Sequence, residues 1–194
     1  AMAVVEEVLD QRVNPGIVKK LNELGGKGRG ISGRKVFHAK KAPKAGGVDL
    51  GRVGEVERCE VSEVKRCLNT KETAVVSPVG QGSDGGAMNL NADVAAAALA
   101  GALPAEQMIF LSDVPGLMRN VKDPGSLIRE IRVGELEKLE KGGVIGGGMI
   151  PKCRSAAAAL AQGLKKVEFV DGRVAGTLTK VVKGEERAGT TLSA

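Results

Sequence analysis

A chain of 194 residues with neither tryptophan nor tyrosine must build its core from Val, Ile, Leu and Ala, and its 28 glycines suit closely packed helices and strands of the α/β class. The net charge of +6 is uneven, with fourteen basic against nine acidic residues in 1–66 and fifteen against fourteen thereafter. That basic third does not read as a nucleic-acid surface, because Phe37 is its only aromatic residue and no recognition motif accompanies it; attraction of a small anion, or plain solvation, fits better.

Cys59, Cys67 and Cys153 have neither metal-site spacing nor the even count of a disulfide framework, so they read as free thiols in a reducing compartment. No apolar run approaches the length of a membrane span. The expectation is a soluble, cytoplasmic protein with no membrane or nucleic-acid partner.

From the start, Val4, Val5, Val8 and Leu9 recur at helical spacing and predict an amphipathic helix over Ala3–Val13. Asn14 and Pro15 read as cap and first turn of a second helix, which Gly25 and Gly26 stop after Leu24. Lys35–Ala39 reads as a short strand, with His38 at its surface. Residues 40–58 are too rich in glycine and charge for a packed element, and read as a ligand-facing loop or as a solvated hairpin. Val61–Leu68 returns to helical spacing, and Thr73–Ser77 is a compact buried strand ended by Pro78.

Gly80–Gly86 predicts a tight turn leading into an extended segment and then an alanine helix over Val94–Leu103. Taken singly, Asn89, Asn91 and Asp93 are ordinary caps. Spaced by two, they share one face of an extended chain and point together into a cleft.

The stretch from Ala105 to Lys152 is the most informative. Gln107–Leu111 is a strand-length apolar run that breaks at once into Ser112, Asp113, Val114, Pro115, Gly116 and Leu117. Ser126–Ile131 and Val133–Leu139 read as strand and helix, ended by Gly142 and Gly143. A flexible loop at Gly146–Gly148 then runs into a small-residue helix with Lys152 near its start and Arg154 beyond it. A buried strand delivering an aspartate and a glycine turn, followed by a glycine loop delivering a lysine to a helix N-terminus, is a way to hold a phosphorylated ligand. Lys166–Val170 is another strand, Asp171–Arg173 its turn, and a helix to Val182 and a last strand near Gly189–Leu192 complete the chain. This alternation calls for a mostly parallel sheet covered on both faces.

Three motifs, Asn89-Leu-Asn-Ala-Asp93, Leu111-Ser-Asp-Val-Pro-Gly116 and Gly147-Gly-Met-Ile-Pro-Lys152, in that order and separation, resemble the amino-acid kinase family, and most closely its branch acting on N-acetyl-L-glutamate. The resemblance implies a three-layer α/β/α sandwich with a mostly parallel sheet, the carbamate kinase-like fold. Residues 1–102 would be the remainder of the amino-acid-substrate lobe and residues 103–194 the nucleotide-binding lobe. It also implies ATP-dependent phosphorylation of the side-chain carboxylate of N-acetyl-L-glutamate, in arginine biosynthesis, by a homo-oligomer.

In that reading Lys152 neutralises charge on the transferring phosphoryl group, Asp93 orients the catalytic lysines, and Asn89 and Asn91 bind the acetylated substrate. Ser112, Asp113, Val114, Pro115, Gly116, Leu117 and Met118, with Val144, Ile145 and Gly146, line the nucleotide site. ATP brings Mg²⁺, held mainly by its phosphates, with no protein metal site. Arg52 stands where the family pattern has histidine. The family's opening strand, with its lysine and Gly-Gly pair, has no counterpart after Ala1, which makes the chain N-terminally incomplete against the family. The expectation is a longer gene product or a second chain supplying that strand. The rival readings are a kinase for another blocked amino acid, such as an aminoadipate derivative, and a non-catalytic nucleotide-binding or regulatory protein.

Overall fold

The computed structural model describes residues 2–44, 46–185 and 188–194. It divides into two compact units, Ala1–Ala102 and Leu103–Ala194.

The first unit opens with helix α1 (Met2–Glu7), a π-helical turn (Val8–Val13) and helix α2 (Asn14–Glu23), with no break between them. The sequence predicts a stop at Asn14. Pro15 lacks an N–H and its ring crowds the carbonyl four residues back, and a wider π turn upstream lets the helix run on. Asn14 is therefore not a cap. It is 6% exposed and donates its amide to the carbonyls of Val75 at 2.8 Å and Ile31 at 3.4 Å. These carbonyls belong to strands β1 (Gly28–Ile31) and β4 (Thr73–Val76), which pair in parallel from Gly28↔Thr73 to Ile31↔Val76.

The rest of this unit is a closed barrel in the order β2 (Phe37–Lys41), β3 (Val53–Cys59), β6 (Ala87–Leu90), β5 (Val79–Gly82). Of the two readings of residues 40–58, the hairpin is what forms, since β3 lies antiparallel to β2. The expected turn at 80–86 begins inside a strand, and β5 and β6 form a second hairpin. Glycine serves packing here: a Cβ on Gly80 would stand 2.9 Å from Cβ of Ala39 and 3.1 Å from Leu90. Small barrels need such close interior approaches. Helix α3 (Ser62–Asn69) and helix α4 (Ala92–Ala102) complete the unit, with Ala95 and Ala97 buried.

In the second unit, β7 (Gln107–Ser112) and β9 (Lys166–Asp171) are parallel, in register from Gln107↔Lys166 to Ser112↔Asp171. β10 (Thr190–Ser193) runs antiparallel to β9, and β8 (Glu130–Arg132) is parallel to β10. The sheet order is β7-β9-β10-β8. Two of its three pairings are parallel, so the sheet is mostly parallel as the sequence predicts, with the β9–β10 pairing antiparallel. Helices α5 (Val133–Lys141), α6 (Met149–Ala161) and α7 (Thr177–Lys183) belong to the same unit. Phe110 and Phe169 stack at 5.3 Å between centroids, and Val167, Phe169, Val170 and Leu192 are fully buried.

Candidate functional site

In parallel α/β sheets ligands collect at the carboxyl ends of the strands, where loops leave the sheet and backbone groups are free of the ladder. In the second unit that edge is the Ser112 end of β7 beside the Asp171 end of β9. The two ends are tied, since Gly172 N–H donates to the Ser112 carbonyl at 2.8 Å. Arg173 grips Asp171 through Nε at 2.9 Å and Nη2 at 2.8 Å, and its N–H donates to the same carboxylate at 2.9 Å. The Arg173 side chain, with help from that N–H, brings the Asp171 carboxyl from its ordinary 3.8 down to about 2. Asp113 adds to the negative field at Arg173. Sequence reasoning read Asp171–Arg173 only as a turn; the signal for more is an Asp-Gly-Arg run directly after an apolar strand.

The turn after β7 is pinned farther along. Leu117 N–H donates to Thr190 Oγ1 at 2.8 Å, the Thr190 hydroxyl donates to the Ile128 carbonyl at 2.6 Å, and Ile128 N–H donates to the Leu117 carbonyl at 2.8 Å. Asp113 is exposed and Val114, Pro115 and Met118 are half-buried, whereas Leu117 and Ile145 are 2% and 3% exposed. Leu117 and Ile145 thus bury their side chains, and the backbone N–H of each is already bonded within the protein, Leu117 to Thr190 Oγ1 and Ile145 to the Leu139 carbonyl.

Gly146, Gly147 and Gly148 are exposed, and Val144 is half-buried. Helix α6 begins immediately after, so Lys152 stands in its first turn, where the helix dipole also favours an anion. Lys152 Nζ lies 5.5 Å from the centroid of the Phe110 ring on β7, within cation–π range. Arg154 does not join it: two residues on, it faces another way and pairs with Glu140 of α5 at 2.6 Å. Burial pushes the neighbouring Cys153 thiol up from 9.0 to about 11.

In the first unit the extended segment is shorter than expected, because β6 ends at Leu90 and α4 starts at Ala92. Asn89 is exposed on β6, between Val53 of β3 and Val79 of β5. Asn91 is the helix cap, its Oδ1 accepting from Asp93 N–H at 2.9 Å and Val94 N–H at 3.2 Å. Its amide NH₂ is left as the group to donate outward. Asp93 is half-buried in the first turn of α4. Arg52 does not point a free guanidinium at a ligand: it forks onto Asp84 and donates through Nε to the Ala87 carbonyl at 3.0 Å. That fork holds the Asp84 carboxyl well below the usual carboxylate range.

A cavity of about 430 Å³ in the second unit is lined by Glu106, Gln107, Lys165, Lys166 and the end of α7. It lies at the amino ends of β7 and β9, opposite the edge just described, and the direction of the strands decides for the edge rather than this cavity. Among the described residues no helix is long and apolar enough to cross a membrane.

Residues 1–171 match a family model described as the amino acid kinase family. The acetylglutamate kinase of Akkermansia muciniphila is 38% identical over 195 residues, covering 98% of this chain and 66% of that protein. The acetylglutamate kinase of Methanocaldococcus jannaschii is 39% identical over 200 residues, covering 98% of this chain and 67% of that protein. The chain thus spans about two thirds of the length of the curated relatives it matches. The crystal structure of smu.665 from Streptococcus mutans UA159 superposes with a TM-score of 0.82 at 26% identity, over 100% of this chain and 71% of that one.

Proposed function

The chain belongs to the amino acid kinase family, and on that premise we propose that the protein carrying it transfers the γ-phosphoryl group of ATP to the side-chain carboxylate of N-acetyl-L-glutamate, in the cytoplasm, for arginine biosynthesis. A carboxylate oxygen attacks the γ-phosphorus, the bond to the β–γ bridging oxygen breaks, and ADP leaves with that electron pair. The product is an acyl phosphate. The nucleophile is already ionised at neutral pH, so no general base is required. What the reaction needs is positioned positive charge, because two anions must meet.

Lys152 supplies that charge to the phosphoryl group, and Mg²⁺, carried mainly by the nucleotide phosphates, supplies the rest. The turn Ser112–Met118 and the residues Val144–Gly146 receive the nucleotide. In the first unit Asn89 and the amide NH₂ of Asn91 donate to the acetylated substrate, and Asp93 is the carboxylate of the catalytic set. The observation that carries this reading is the placement of Lys152 behind three exposed glycines, with its amine over Phe110 of the strand whose end opens the Ser112 turn.

The test is ADP release from Mg-ATP with N-acetyl-L-glutamate or N-acetyl-α-aminoadipate as acceptor. Clear preference for acetylglutamate is expected. Preference for the aminoadipate derivative reassigns the substrate, and nucleotide binding without transfer to either acceptor leaves a regulatory protein.

A further inference from the structure

We propose that Thr190 is the positioning residue of the nucleotide turn, holding Ser112–Met118 in the shape that receives the nucleotide without touching it. This rests on the reading of the second unit as nucleotide-binding. Thr190 is 73 residues from Leu117 in sequence and 1% exposed. Its single hydroxyl accepts from Leu117 N–H and donates to the Ile128 carbonyl, while Ile128 N–H closes the ring onto Leu117. No other group of that size accepts and donates at once. Valine has the same shape and does neither, leaving a buried N–H and a buried carbonyl with a partner lost.

Gly116 shows that the contact shapes the turn. Its φ of +145° is disfavoured for a residue with a side chain, and a Cβ there would stand 2.5 Å from Thr190 Oγ1 and 3.0 Å from Thr190 N. The glycine lets β10 come close enough for the hydroxyl to reach Leu117. The turn is then tied at both ends, at Ser112 by Gly172 and at Leu117 by Thr190, with Asp113–Gly116 between. Such pinning holds a loop in its bound form before the ligand arrives, and preorganisation of this kind is read out as affinity.

The experiment titrates Mg-ADP calorimetrically into the wild-type chain and the variants Thr190→Val, Thr190→Ser and Gly116→Ala, with hydrogen exchange of the Leu117 amide followed in each. Melting curves confirm that each sample is folded. Thr190→Val should bind about tenfold more weakly and exchange the Leu117 amide faster, whereas Thr190→Ser, which keeps the hydroxyl, should stay near wild type in both. Gly116→Ala reaches the same contact from the other side and should also weaken binding, which keeps the test open if Thr190→Val does not fold. Wild-type affinity in Thr190→Val or Gly116→Ala overturns the proposal, as does a Thr190→Ser variant as weak as Thr190→Val. If the wild type binds no nucleotide while Leu117 exchange still depends on Thr190, the tie is real and the nucleotide assignment is what fails, taking the positioning role with it.

Discussion

The amine of Lys152 lies 5.5 Å from the ring centroid of Phe110, and that ring stacks in turn on Phe169 at 5.3 Å. The negative face of an aromatic ring attracts a cation and helps to place it, which suits a lysine meant to meet a phosphoryl group. Lys152→Ala should lower kcat for phosphoryl transfer by roughly 10²–10³ while leaving the melting curve in place. Steady-state kinetics beside circular dichroism checks both halves, and an unchanged kcat removes Lys152 from the chemistry.

Phe169 is fully buried and supports both that stack and the β9 core. Phe169→Ala should cost about 3–5 kcal/mol of stability, the transfer term plus a cavity. Urea unfolding at equilibrium measures it, and a loss under about 1 kcal/mol would mean the site collapses around the gap.

Much of this was legible in the sequence, and the failures have physical causes. Thr73–Val76, Gln107–Ser112 and Lys166–Asp171 are short apolar runs closed by turn residues, and each is a strand within a residue or so of its predicted bounds. The barrel is not legible in the sequence, because Gly54 and Gly80 read as loop signals whereas their missing side chains serve close strand approach. Residue type alone makes Asn14 a cap; only the parallel pairing of β1 with β4 reveals the carbonyls it serves. Asn91 is the reverse case, since its cap is local and was one of the two readings the sequence offered. Thr190 carried no signal at all, because its partners Leu117 and Ile128 lie far away in the chain.

The Asp171 carboxyl, held at about 2 against an ordinary 3.8 by Arg173, makes a prediction with a definite sign. A depressed carboxylate contributes stability that is present above the ordinary value and lost as pH falls through the folded value. The melting temperature should therefore fall between pH 4 and pH 2, and less steeply in Asp171→Asn. Thermal melts in matched buffers across that window decide it; identical slopes would show that the Arg173 fork does not persist in solution.

Cys153 is 3% exposed, and its thiol is pushed up to about 11 by burial. At pH 7.5 it should resist iodoacetamide in the native state and react on unfolding, because the thiolate is the nucleophile. The half-buried Cys59 should be alkylated first. Peptide mass spectrometry after timed quenching reads the order, and rapid native labelling of Cys153 would mean that α6 opens readily.

The central claim is that the nucleotide sits at the Ser112 end of β7 with the glycine loop and Lys152. Titration of the isotopically labelled chain with Mg-ADP, followed by backbone amide NMR, tests it most directly. The account predicts chemical-shift changes concentrated on Ser112–Met118 and on Val144–Lys152. Changes confined to the first unit, or to the cavity lined by Lys165 and Lys183, would contradict it, as would no change at millimolar nucleotide in a folded sample.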